Sequence, residues 1–254
     1  MRKILIIGIG AGHRDHITMQ AVKALNTVDV FFAFDKGREK DDLARLRQEI
    51  CATYIAGRSY RTVAAPDPAR DRTPAAYQAT VKDWHARRAA LFEAMIAWEL
   101  GEEQCGAFLV WGDPSLYDST LRIVQDILAR GVVTFSYEVI PGVTSVQALA
   151  AAHKIPLNEI GGPIHITTGR NLADGRPDSI DNVVVMLDGD CAFKTVSQDG
   201  VDIYWGAYIG TEDEILLAGN LRAVADEIVQ VRAEARACKG WIMDTYLLRR
   251  RKDA

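Results

Sequence analysis

The feature that most constrains this chain is an apolar run near its start, Ile4 to Ile9, broken only by Gly8 and followed at once by Gly10 and Gly12. A strand with one wet face alternates polar and apolar residues. An uninterrupted run is expected where both faces are covered, as in an inner strand of a parallel sheet flanked by helices. The run is too short for a signal peptide's apolar core, and glycines and charged residues follow it where a cleavage site would stand.

The pattern after the run keeps alternating. Thr18 opens an amphipathic helix to about Asn26, and Val28 to Phe34 reads as a second buried strand. A helix is expected around Ala89 to Glu99, then a strand from Ala107 to Trp111. A further helix runs from Ser119 to Arg130, stopped by Gly131, and a strand follows from Thr134 to Val139. Strands alternating with helices imply parallel pairing through crossovers. Ile140-Pro141-Gly142 punctuates the chain and is the best internal boundary, with Thr144 capping a short helix through Ala152. Strands are expected at Ile164 to Thr168, Asn182 to Leu187 and Ile203 to Ile209, then a helix from Leu221 to Arg236 and a last strand from Gly240 to Leu248. The fold class is α/β in two parts, 1–140 and 141–254.

Charge narrows the function. The net charge of -4 argues against a generic nucleic-acid binder. No apolar stretch reaches the roughly 20 residues that span a bilayer, so no membrane partner is expected. The four cysteines, Cys51, Cys105, Cys191 and Cys238, lie far apart with no C-x-x-C pair, which suits reduced thiols in the cytoplasm and gives no metal site. One stretch departs from this acidic balance. Between Arg58 and Arg88, within an insertion over 57–90, seven cations face three aspartates, and prolines stand at 66, 68 and 74. The bland reading is a solvated loop and helix face. The functional one is a rim of guanidinium forks that receives carboxylates.

Gly8-Ile9-Gly10-Ala11-Gly12-His13 lies between a strand and a helix, the setting of a dinucleotide fingerprint, and Asp35 would suit a ribose hydroxyl. However, the third glycine of that fingerprint falls on His13, and the helix starts only at Thr18, too late to cradle a pyrophosphate. A nicotinamide-dependent oxidoreductase is therefore the alternative from a different class.

The same run, read on through Ile17-Thr18-Met19-Gln20-Ala21 to Val28-Asp29-Val30, resembles the opening of the tetrapyrrole methylases, G-x-G-P-G-D, then L-T-x-x-A, then A-D-V. Ala11 replaces the usual proline and His13 the usual aspartate. Two further stretches continue the resemblance: Trp111-Gly112-Asp113-Pro114-Ser115-Leu116-Tyr117 and Pro141-Gly142-Val143-Thr144-Ser145. It implies two α/β domains of the class III methyltransferase type with S-adenosyl-L-methionine in the cleft between them and S-adenosyl-L-homocysteine as product. It assigns to that cofactor Trp111, Gly112, Asp113, Leu116 and Tyr117, then Thr144 and Ser145, then Met186, Ala207, Tyr208 and Thr245.

Within the family, the Trp111 stretch together with the long insertion points to the deacetylating members of corrinoid assembly. The implied reaction is methylation of precorrin-5 at C-1 with loss of acetate. Such a substrate carries many carboxylates, and Gly10, Ala11, Arg14, Arg38, Arg58 and Arg61 are the residues expected to meet it. Acetate release needs a directed water and an oxyanion donor. His13 and Asp15 are the candidates, on the loop expected to face the ring. The family also implies a homodimer and no metal. Another member acting at a different ring carbon, a relative that methylates protein or ribosomal RNA, and a noncatalytic binding module remain as alternatives.

Overall fold

The structure is a computed structural model that describes residues 1–35, 41–68, 77–175 and 181–251. The chain forms two compact units. One comprises Met1–Gly10 and Arg14–Thr144, the other Ala11–His13 and Ser145–Ala254.

The first unit carries an all-parallel sheet of five strands, β1 (Lys3–Gly8), β2 (Val30–Asp35), β3 (Arg61–Pro66), β4 (Cys105–Val110) and β5 (Ser136–Ile140), in the order β3-β2-β4-β1-β5. β1 lies between β4 and β5, with Lys3 level with both Cys105 and Ser136. Its side chains alternate between two cores, which is why the run has no polar face. Ile4 and Ile6 pack with Phe32, Phe92, Ile96, Phe108, Ile123 and Ile127. Leu5, Ile7 and Ile9 pack with Ala21, Leu25, Phe31, Ile50 and Ile140 on the other side. The first core is closed by α3 (Tyr77–Glu99) and α4 (Thr120–Arg130), the second by α1 (Met19–Leu25) and α2 (Asp41–Tyr54).

Local chemistry sets the helix ends. Thr18 Oγ1 accepts from Ala21 N at 3.0 Å and starts α1, while Gly131, at φ 69°, ends α4. Two elements here were not expected from the sequence. β3 is an edge strand, paired only with β2 and half exposed, so it has no continuous apolar run. Among the described side chains of α2 only Ile50 and Cys51 are buried, and α3 begins well before the expected Ala89.

The second unit is mostly antiparallel. Its strands are β6 (Ile164–Thr168), β7 (Asn182–Met186), β8 (Val201–Ala207), β9 (Ile215–Asn220) and β10 (Asp244–Arg250), in the order β6-β7-β10-β8-β9. Only β6 and β7 run parallel. One face packs Val183, Val185, Ile203, Trp205, Tyr246 and Leu248 against Leu221, Ala225 and Ile228 of α7 (Leu221–Lys239). α5 (Ser145–His153) packs against β8 and β10, and Leu149 approaches Gly206. α6 (Gly169–Ala173) follows β6.

The Gly219-Asn220-Leu221 segment is the end of β9 and the start of α7. Gly240 caps α7 at φ 76°, so the last strand begins at Asp244, later than expected.

A buried polar network holds the end of β7. Asp188 accepts from Asp190 N, Ala192 N and the Tyr246 hydroxyl, at 3.0, 2.7 and 2.7 Å. Arg232 donates Nε to Asp244 Oδ2 at 2.9 Å and Nη2 to the Asp188 carbonyl at 2.6 Å, and Trp205 Nε1 also reaches Asp244 Oδ2 at 3.0 Å. Burial drives the Asp244 carboxyl above its usual range in spite of Arg232.

Candidate functional site

In the first unit the carboxyl ends of β1, β4 and β5 meet backbone to backbone. A Cβ on Gly8 would lie 2.7 Å from Gly142 N, and one on Gly142 would lie 2.1 Å from Gly112 O. Neither position has room for a side chain. A Cβ on Gly112 would make ordinary contact, 3.7 Å from Thr144 Cα, but its φ of 70° disfavours anything larger. Gly10 and Gly112 pair antiparallel, with Gly112 N donating to Gly10 O at 2.9 Å. Parallel sheets place ligands at such strand ends.

Asp113 locks this arrangement. Its Oδ1 accepts from Ser115 N at 2.8 Å and from Ser115 Oγ at 2.5 Å, and its Oδ2 accepts from Gly142 N at 2.9 Å. Burial pushes its carboxyl up, but the bonds from Ser115 and Gly142 outweigh that and hold it below its usual range. The residue assigned to cofactor contact is thus the brace that ties the β4 turn to the β5 turn. Around it, Trp111 and Leu116 are half-buried, Thr144 is buried and Tyr117 is exposed. Tyr117 holds φ 53°, a left-handed backbone that costs a non-glycine residue on the order of 1–3 kcal/mol.

In the second unit Met186, Thr245 and Gly206 are level with one another across β7, β10 and β8. Thr245 Oγ1 donates to Ser145 Oγ at 3.1 Å, which brings the start of α5 onto the same row. Leu187 and Tyr208, just beyond β7 and β8, also take left-handed backbones, at φ 54° and 49°. Tyr208 does not offer its ring there. Its side chain is buried, its hydroxyl donates to Trp241 O at 2.6 Å, and its backbone bonds Met243 and Thr211. Ala207 is buried beside it. Gly12 belongs to this unit, where a Cβ at φ 96° would lie 2.1 Å from Ile209 O.

The loop after β1 is divided. Ala11 is buried, whereas His13, Arg14 and Asp15 are exposed. His13 groups with the second unit, while Arg14 and Asp15 belong to the first. Arg14 Nε stands 3.8 Å from Asp15 Oδ1, which also accepts from the Tyr54 hydroxyl at 2.8 Å. After the glycines the chain makes a single 3-10 turn, Arg14–His16, and α1 starts only at Met19. No helix N-terminus follows the glycines directly, and that removes the basis for the dinucleotide alternative.

Four described arginines of the expected basic rim are paired with carboxylates of the chain. Arg58 pairs with Asp29, and Arg61 with Glu99 at 2.5 Å, beside the amino ends of β2 and β3 and so at the opposite edge from the glycine turns. Arg88 is buried, bidentate to Asp67 at 2.8 and 2.5 Å, between the rings of Phe34 and Trp84. Arg87 pairs with Asp83 one helical turn away. Arg58 and Arg61, both expected to meet the substrate, are thus paired with carboxylates of the chain itself, and Arg14 stands beside Asp15. Arg38, like Arg70 and Arg72, lies outside the described residues.

Two residues near the site drew no attention in the sequence. Arg47 of α2 donates Nε to Leu109 O at 3.2 Å, at the carboxyl end of β4. Its desolvation lowers the guanidinium's pKa while the nearby Asp118 acts the other way. Tyr54 ends the same helix. Neither residue belongs to a motif, and a charge or a phenol on an unrecognised helix carries no signal in one sequence. Among the described residues no cluster of His, Cys, Asp or Glu is arranged to hold a metal ion.

One unit has strand ends braced by glycines, the other a mixed sheet with left-handed turns after β7 and β8, and both features fit the class III methyltransferase fold. The chain belongs to the tetrapyrrole (corrin/porphyrin) methylases, whose family model matches residues 3–225. It is 54% identical over 253 residues, spanning 100% of this chain and 97% of the relative, to precorrin-6A synthase [deacetylating] of Sinorhizobium sp. Among solved structures it matches a putative cobalamin synthesis related protein (CobF) from Corynebacterium diphtheriae with TM-score 0.85 and 40% identity, over 99% of this chain and 100% of that one. A uroporphyrin-III C-methyltransferase from Thermus thermophilus, solved with S-adenosylhomocysteine, shares the fold at TM-score 0.59 and 17% identity, over 97% and 96% of the two chains.

Proposed function

We propose that this chain is an S-adenosylmethionine-dependent C-methyltransferase of corrin-ring assembly. It methylates precorrin-5 at C-1, with release of acetate, to give precorrin-6A. The observation that carries this reading is identity of 54% along the whole chain to a deacetylating precorrin-6A synthase.

The residues suit the methyl donor. Half-buried Trp111, Leu116 and Met186 supply apolar surface for a purine, and the hydroxyls of Thr144, Ser145 and Thr245 supply hydrogen bonds for ribose and carboxylate. Gly112, at φ 70° and without a side chain, suits a turn whose backbone a ligand approaches. When bound, the sulfonium supplies an already activated methyl group. The protein's own task is then alignment, which is worth on the order of 7–11 kcal/mol in ideal cases. Acetate release asks more of the side chains. Water adds to the acetyl carbonyl, the carbon–carbon bond breaks, acetate departs, and the electron pair stays on the macrocycle. His13 or Asp15, both exposed on the loop after β1, takes the water's proton.

Incubation with precorrin-5 and methyl-labelled cofactor tests this reading. One labelled methyl in the pigment and one acetate per turnover are expected. Label at another ring carbon, with no acetate, would reassign the chain to a different tetrapyrrole methylase. Two further parts of the reading concern its setting. The four free cysteines fit a reducing cytoplasm, and no described helix is long and apolar enough to cross a membrane. A homodimer is expected, and sedimentation equilibrium returning the 28.0 kDa monomer mass would remove it.

A further inference from the structure

We propose that Tyr54 is the positioning residue for acetate release: its hydroxyl orients the Asp15 carboxylate toward the water that attacks the acetyl group. This rests on the reading of Asp15 given above. An exposed aspartate on a loop samples several rotamers, and a general base works only within hydrogen-bond reach of its proton. Tyr54 removes that freedom from a distance of 39 residues, donating to Asp15 Oδ1 at 2.8 Å.

The donor is itself held fast. Asn26, the cap of α1, donates Nδ2 to Tyr54 O at 2.7 Å and accepts from Ala56 N at 3.0 Å. The same Nδ2 donates to Val22 O at 2.9 Å, so the end of α2 is fastened to the end of α1 at Tyr54 O and Ala56 N. Arg14 Nε, 3.8 Å from the same Asp15 oxygen, adds a cation to the group. The hydrogen bond to Asp15, with burial second, raises the Tyr54 phenol above its usual value, so it stays a donor at neutral pH. The arrangement joins a rigid helix junction to one carboxylate of an exposed loop, and a loop-closing contact alone would not need an acidic acceptor.

Tyr54→Phe, Asp15→Asn and the double variant decide the matter, with acetate, methyl incorporation, S-adenosylhomocysteine affinity and melting temperature all measured. Tyr54→Phe should lower kcat for acetate release roughly tenfold. Its KM, its S-adenosylhomocysteine affinity and its melting temperature should stay as in the parent. Asp15→Asn should lose more, and the double variant no more than Asp15→Asn. Unchanged acetate turnover in Tyr54→Phe, with a loss in Asp15→Asn, would overturn the inference and leave the base in place. Unchanged turnover in both would remove the Asp15 assignment and this inference together, with methyl transfer untouched. A parallel drop in melting temperature and cofactor affinity in Tyr54→Phe would mark the contact as structural and also overturn the proposal.

Discussion

Asp113 looks from its motif like a ligand contact, yet its carboxylate is spent on Ser115 and on Gly142 N. A carboxyl held below its ordinary value in the folded chain stabilises fully above the unfolded value. The contribution fades as pH falls through the folded one. Stability should therefore decline below about pH 4 more steeply in the parent than in Asp113→Asn, as urea titrations between about pH 6 and pH 3 would show. At neutral pH the variant should bind S-adenosylhomocysteine at least about tenfold more weakly, because bonds to a charged acceptor are worth roughly 1.5–3 kcal/mol and here they shape a turn. Calorimetric titration measures this. Tyr208 teaches the same lesson in reverse, since a motif position next to β8 bonds Ala235 O of α7 and Trp241 O just beyond it.

At the level of elements, two glycine contacts set how closely β1, β4 and β5 approach. Gly142→Ala should lower the melting temperature and abolish measurable S-adenosylhomocysteine binding, because its Cβ would meet a carbonyl oxygen at 2.1 Å. A variant that binds with parental affinity would contradict the role given to this turn. In the second unit Arg232 of α7 joins β7 to β10 through Asp188 and Asp244. Arg232→Met leaves Asp244 buried without its cation and should cost about 3–5 kcal/mol of unfolding free energy. The unpaired carboxyl binds a proton more readily when folded than when unfolded, so the deficit should shrink as the pH is lowered. Chemical denaturation at neutral and acidic pH checks both the size and the direction. The two strands missed from the sequence share a cause: β3 and β9 are sheet edges with half-exposed faces, so neither carries the apolar run that exposes an inner strand.

For the whole molecule, an anionic macrocycle must approach a chain of net charge -4. Local cations such as Arg14 then matter, and substrate binding should weaken as salt is raised through the range where the Debye length falls from about 10 to 3 Å. An affinity that does not change with ionic strength would mean that apolar contact with the ring carries the binding instead. Arg58→Ala and Arg61→Ala should leave this salt response as it was, because both guanidiniums serve carboxylates of the chain itself.

What the sequence determined unaided were the features encoded within a few residues of one another. The inner strands, the capped helices α1 and α4, and the three motifs that mark the family belong here, since periodicity, caps and turn glycines are local. The tertiary structure decided which of those motif residues present a group and which are consumed. Asp113 and Tyr208 are bonded to partners 29 and 33 residues away, and Tyr54 reaches Asp15 across 39. A side chain's task depends on what packing brings within about 3 Å of it, and no pattern of neighbours along the chain records that distance.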